Sequence, residues 1–229
     1  MNSLTDLCLI ILIPLLGLVV GSFANVLICR IPRGEEWVHT PSHCMACGQS
    51  LRWFELIPVA SWLAQGGRCR ICKAPVSIRY PAVELINAAL WLICVLVFGA
   101  TPRLPVALAL ATCLLVLSVI DWDTREIPDG IQIFLLAVGL IWNGYALWAG
   151  LNIWRSNLIG FFAVSVPLLL LSVATKGGMG GGDIKLTAVC GLILGWQNSL
   201  LALTLAALLG TLFMLPPLQI GRASCRERV

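Results

Sequence analysis

An all-α polytopic membrane protein, with about seven transmembrane helices and one small cytoplasmic loop, is the fold class that three features of this chain predict. Of its 229 residues, 59% are hydrophobic and only 11% are charged, where a soluble domain carries about a quarter charged residues. Mean hydropathy is +0.93. Residues 7–29, 85–102, 104–120, 130–154, 156–175 and 186–221 contain no Asp, Glu, Lys or Arg, and a spanning helix needs roughly 20 apolar residues.

Taken in order, residues 7–29 are the first transmembrane helix. They are too long for the apolar core of a signal peptide, lack a basic flank before them and run into "GSFANVLICRIPR" without a cleavage site. Residues 30–83 form a hydrophilic loop and 84–217 a multi-helix membrane core. The 186–221 stretch has room for two helices, broken at "GWQNS" (195–199), which makes the sixth segment short. Residues 218–229 are a polar tail. Arg30, Arg33, Arg52, Arg68, Arg70, Lys73 and Arg79 all fall in the 30–83 loop, so that loop is expected in the cytoplasm. Residues 121–130 and 176–185 then face the same side. The net charge of +4 is a topology signal and points to a lipid bilayer, with no nucleic-acid partner.

Within the loop, "CMAC" and "CRIC" place Cys44, Cys47, Cys69 and Cys72 as two CxxC pairs separated by 21 residues. That spacing suits a four-thiolate zinc site, closed and therefore structural. A reducing cytoplasm favours metal over disulfides. Cys8, Cys29, Cys94, Cys113 and Cys190 lie scattered in apolar segments, where cysteine packs as a small hydrophobe. His43 reads as a solvated loop residue.

Acidic residues at membrane edges are costly and tend to be functional. Asp121 directly follows an apolar run in "SVIDWDTREIPDG" (118–130), and Asp183 closes the glycine-rich "GGMGGGD" (177–183). Asp123 and Asp129 read as capping or turn residues. Two carboxylates at one depth on separate helices suggest an aspartyl dyad sharing a proton, one acting as base on water and the other as acid. No histidine-based nucleophile competes, since His39 and His43 both lie in the cysteine loop. Gly180, Gly181 and Gly182 leave backbone space for a substrate strand. A phosphate-binding loop does not fit their spacing, and a plain hinge is the bland alternative. A proton-coupled transporter using paired carboxylates, or a non-catalytic membrane scaffold, are readings from other classes; carboxylates at segment ends and the absence of an internal repeat weigh against the transporter.

Together, "GGMGGGDIKL", "DWDTREIPD", "GSFANVLICRIPR", the four cysteines and "SIRYPAVELINA" (77–88) resemble, in order, the motifs of bacterial type IV prepilin peptidases, the GxGD-type intramembrane aspartyl proteases. The resemblance implies that Asp121 and Asp183 are the catalytic aspartates. It implies cleavage of prepilins and type II secretion pseudopilins after a glycine at the cytoplasmic face of the bacterial inner membrane. It also implies S-adenosylmethionine-dependent methylation of the new N-terminal amine. No cofactor fingerprint marks the methyl-transfer site; the first helix and the loop are its expected place. Glu84 is a candidate for holding an amine or ordering the loop, with pairing to Arg79 or Arg30 as the plain alternative, and Asn25 is a candidate packing or methyl-transfer residue. The ending "GRASCRERV" departs from the family, whose members continue into a further apolar segment, so the last family helix is expected to be missing.

Overall fold

The computed structural model describes residues 4–175, 178 and 180–226, with side-chain surroundings for 7–175, 178 and 180–212. Its elements are α1 (Leu4–Arg30), α2 (Ala60–Ala64), α3 (Arg79–Phe98), α4 (Arg103–Thr124), α5 (Asp129–Trp148), α6 (Ile153–Ala163), α7 (Ser165–Ala174), α8 (Gly181–Leu194) and α9 (Trp196–Arg226). Among the described residues β-structure is confined to two isolated bridges. Five stretches are long and apolar enough to cross a membrane: Leu7–Arg33, Arg79–Phe98, Arg103–Thr124, Asp129–Trp148 and Ile153–Ala174. The sixth expected segment falls on the 14-residue α8, which is shorter than a membrane span needs. The seventh is the apolar start of α9, Trp196–Leu212. The fifth span is two helices in series, because Pro167 in α7 has no N–H to return to the carbonyl of residue 163.

Two compact units divide the chain, residues 1–138 and 139–229. In the first, α1, α3 and α4 pack together. "GLVVG" gives α1 a small-residue stripe: a Cβ on Gly17 would lie 3.0 Å from the Cα of Ala88, and one on Gly21 only 2.8 Å from the Cα of Glu84. Small residues allow helices in lipid to approach so closely. A polar chain locks the three. Asn87, fully buried, donates to the Gly17 carbonyl at 2.7 Å. The Thr112 hydroxyl donates to Asn87 Oδ1, and Trp91 Nε1–H donates to that hydroxyl, each at 2.9 Å. Every donor lost from water finds a partner, as a low-dielectric interior demands.

In the second unit α6 crosses α8 through Gly160 and Gly191. A Cβ on either would run into the carbonyl oxygen of the other, so backbone meets backbone. Asn143 donates to the Leu192 carbonyl at 2.9 Å and accepts from Asn157 at 3.0 Å. This pair binds the later half of α5 to α6 and α8.

Candidate active site and cysteine cluster

The cysteine loop is built as two equivalent knuckles. In the first, Gly48 N–H returns to the Cys44 carbonyl at 2.8 Å and Cys44 N–H donates to the Gln49 carbonyl at 2.9 Å. In the second, Lys73 N–H returns to the Cys69 carbonyl at 3.0 Å, and Cys69 N–H donates to the Ala74 carbonyl at 2.8 Å. Each closes on a residue in the left-handed region, Gly48 at φ +70° and Lys73 at φ +58°. A turn of this kind aims both sulfurs of a CxxC pair to one side.

The four Sγ atoms lie within 4.8 Å of one another, with Cys44 and Cys72 at 3.8 Å. A zinc–sulfur bond of ~2.3 Å implies a tetrahedral sulfur–sulfur edge of ~3.8 Å, whereas a disulfide would bring the sulfurs to ~2.05 Å. All four are free thiols, and the set fits one tetrahedral ion. Backbone N–H groups of Cys72 and Ile71 pull the Cys69 thiol down to about 6, so it supplies a thiolate at neutral pH. Cys72 is pushed up to about 11: the Ala74 N–H would lower it, but desolvation and the three neighbouring sulfurs outweigh that effect. Four crowded sulfurs sharing protons are what a cation resolves.

Glu55 fastens the rest of the loop. It accepts from Arg52 N–H at 2.8 Å and from Arg70 at 3.1 Å, and these contacts, the Arg52 amide first, hold its carboxyl below the usual range. Arg30, 7% exposed, ends α1 by donating to the carbonyls of Glu36, Thr40 and Pro41. It therefore staples the 36–41 segment and does not pair with Glu84. Arg79 is also taken, by Asp123 at 2.6 Å. Both expected arginine partners of Glu84 are thus replaced, and Asp123, expected to be a solvated turn residue, is an ion-pair partner. Glu84 Oε2 instead accepts the Val59 N–H at 2.7 Å. Asn25 donates to the Tyr80 carbonyl at 3.0 Å, pinning α1 to the start of α3.

Asp121 lies exposed on the last turn of α4. The helix ends at Arg125, whose φ is +58° and whose N–H returns to the Asp121 carbonyl at 2.9 Å. Asp129 opens α5. Gln132, 4% exposed, has an amide oxygen with no hydrogen-bond partner among the described residues, a group that composition alone did not single out.

In the second unit Asp183 is exposed on the first turn of α8, where helix N–H groups converge. Gly180 is its N-cap, extended at φ −65°, ψ 135°. Gly181 and Gly182 already belong to the helix. None of the three has a positive φ, so these residues are not glycine for the sake of a left-handed turn. A Cβ on Gly181 would meet nothing within 4 Å, and one on Gly180 would meet only the Asp183 carboxylate, at 3.3 Å. Lys176, Gly177 and Met179, the start of the glycine-rich stretch, lie outside the described residues.

Comparison with known proteins identifies the family. Residues 15–98 match the bacterial peptidase A24 N-terminal domain and residues 108–215 the type IV leader peptidase family. The chain belongs to the type IV leader peptidase family. Its relatives include proteins named prepilin leader peptidase/N-methyltransferase. That of Pseudomonas putida is 37% identical over 227 residues, covering 89% of this chain and 79% of the relative. That of Bacillus subtilis is 35% identical over 211 residues, covering 92% and 84%. That of Myxococcus xanthus is 36% identical over 217 residues, covering 92% of this chain and 64% of the relative. No solved structure matches the chain. The A24 N-terminal match holds the cysteine quartet, Asn25 and Glu84, and the leader peptidase match holds Asp121 and Asp183.

Proposed function

We propose that this leader peptidase is a bifunctional membrane enzyme. As an aspartic endopeptidase it cleaves the leader of type IV prepilins and type II secretion pseudopilins after a glycine; as a methyltransferase it methylates the new N-terminal residue. The observation that carries the reading is the pair of exposed carboxylates at helix ends, Asp121 closing α4 and Asp183 opening α8. Asp121 and Asp183 act as one dyad. One carboxylate takes a proton from water as it attacks the scissile carbonyl; the other protonates the oxyanion and then the leaving amine. The bare backbone at Gly180, Gly181 and Gly182 admits the extended leader beside Asp183.

Positive charge concentrated in residues 30–83 supports a cytoplasmic loop and an active site at the cytoplasmic face of the bacterial inner membrane. A basic leader then meets the dyad while the substrate's apolar helix stays in lipid. Zinc held by Cys44, Cys47, Cys69 and Cys72 is structural, since four thiolates leave no open position. S-adenosylmethionine is the methyl donor. The test is leader cleavage in reconstituted membranes: Asp121→Asn and Asp183→Asn each reduce it below detection, and full cleavage by either variant removes the dyad.

A further inference from the structure

The first unit contains a cavity of about 440 Å³, within the range of ~300–1,000 Å³ usual for small-molecule sites. Its floor is the cytoplasmic end of α1 and the start of α3; its walls are the two cysteine knuckles and α2. Glu84 lines the floor and is 7% exposed. A buried acid without a cationic partner is costly unless it has a use. The turn that donates the Val59 N–H to it is unusual. Val59, a β-branched residue, sits at φ 58°, ψ −51°, and Ala60 N–H closes a three-residue turn onto the Pro58 carbonyl at 2.5 Å. Such γ-turns are strained, and strain of this kind persists where the surroundings impose it. Here it delivers Ser61 and Trp62 into the cavity wall, with the Trp62 indole fixed by the Val76 carbonyl at 3.0 Å.

We propose that this cavity is the methyl-transfer chamber and that Glu84 takes the proton from the substrate amine. The inference rests on the methyltransferase half of the function proposed above. The lining offers what a sulfonium nucleoside amino acid requires. Trp62 and Tyr80 are aromatic faces for a purine or a sulfonium, Arg68 is a cation for the amino-acid carboxylate, and Glu84 is an anion for the amine. In the transfer the amine nitrogen forms a C–N bond to the donor methyl, the C–S bond breaks with its electrons on sulfur, and the displaced proton goes to the Glu84 carboxylate. Proximity to the protease half is also built in. Arg79, next to Tyr80 at the cavity floor, holds Asp123 at 2.6 Å, two residues from Asp121. A freshly cut N-terminus near Asp121 thus lies one ion pair away from the chamber, within a single unit.

Glu84→Gln decides between proton acceptance and mere bracing, because its amide oxygen still accepts the Val59 N–H. Ser61→Phe fills the chamber from α2. Three quantities are measured on the detergent-solubilised full chain: binding of S-adenosylhomocysteine by calorimetry, leader cleavage, and methylation of the product N-terminus by mass spectrometry. The wild type binds. Ser61→Phe loses at least ~10-fold in binding and methylates correspondingly less. Glu84→Gln binds as the wild type does but methylates ~100-fold more slowly, the scale of a lost general base. Cleavage, which uses neither residue, continues in both. Normal binding and methylation by Ser61→Phe would place the site elsewhere, and normal methylation by Glu84→Gln, or its loss together with binding and cleavage, would reduce Glu84 to a brace. A wild type that cleaves but neither binds nor methylates overturns the chamber and spares the peptidase; one that binds but does not cleave does the reverse.

Discussion

In the first unit, Gly21 of α1 faces the Cα of Glu84 on α3; in the second, Gly160 of α6 and Gly191 of α8 face each other's carbonyl oxygens. Both crossings are secured by an asparagine that donates to a backbone carbonyl, the buried Asn87 to Gly17 and the half-buried Asn143 to Leu192. The difference lies in what the close approach serves. In the first unit the tight contact sits at the edge of a cavity and holds the residue that lines it. In the second, no side chain intervenes, and the contact sets the course of a short helix whose first turn bears Asp183. One crossing borders a cavity, and the other involves the helix that bears a single carboxylate. Under the functions proposed above, methyl transfer and peptide cleavage depend on different glycines.

The largest break in that comparison comes from the metal. Structural zinc contributes on the order of 10 kcal/mol in small metal-dependent folds, so a chelator, or Cys44→Ser with Cys72→Ser, should unravel residues 42–76. Hydrogen exchange should rise throughout the loop while α6 and α8 stay protected. Zinc analysis of the purified chain should read one equivalent; none would dismiss the site. Loading must displace protons from a Cys72 thiol near 11, so metal retention should weaken as pH falls, most steeply once Cys69, near 6, also protonates.

Gly191→Val comes next. The backbone of α6 at Gly160 and Phe161 occupies the place of the missing Cβ, so overpacking should cost ~3 kcal/mol, lowering thermal unfolding of the second unit and abolishing leader cleavage. An unchanged melting temperature would show that the crossing has slack. Gly21→Ala is milder, at ~2 kcal/mol, because it adds a single methyl whose closest approach, 2.8 Å to the Glu84 Cα, is less severe than the overlap at Gly191. Its signature is selective: weaker S-adenosylhomocysteine binding with cleavage retained. The smallest effect is Lys73→Gly. Relief of a left-handed lysine at φ +58° is offset by glycine's greater unfolded freedom, leaving a gain of no more than ~1 kcal/mol in loop stability. A loss would mean that the lysine side chain has a contact worth more than the strain.

Several of these features were plain in the residues themselves. Two CxxC pairs can close only a few turn geometries, so the knuckles followed from spacing. A charge-free run of about twenty residues has one stable form in lipid, so the five long spans followed from composition. The glycine-rich stretch was less legible. Gly180, Gly181 and Gly182 read from sequence as bare backbone beside a substrate strand, but that two of them lie in the first turn of α8 is not legible, because glycine in a helix leaves the same local pattern as glycine in a loop. Glu84 reads from sequence as a residue that holds an amine or orders the loop, with Arg79 or Arg30 as the plain alternative; the structure gives it the Val59 N–H of the loop and neither arginine.

By itself the sequence determined the class of protein, the order of its membrane segments, the four thiolates and the position of each carboxylate along the chain. These depend on hydropathy and on spacings of a few residues. The tertiary structure alone decided the partners of Glu84 and Asp123, the contact faces of Gly21 and Gly191, and the existence of the cavity. The physical reason is range. Val59 and Glu84 are 25 residues apart, Arg79 and Asp123 are 44, and Gly17 and Asn87 are 70. Only packing, not local pattern, brings such groups within hydrogen-bonding distance.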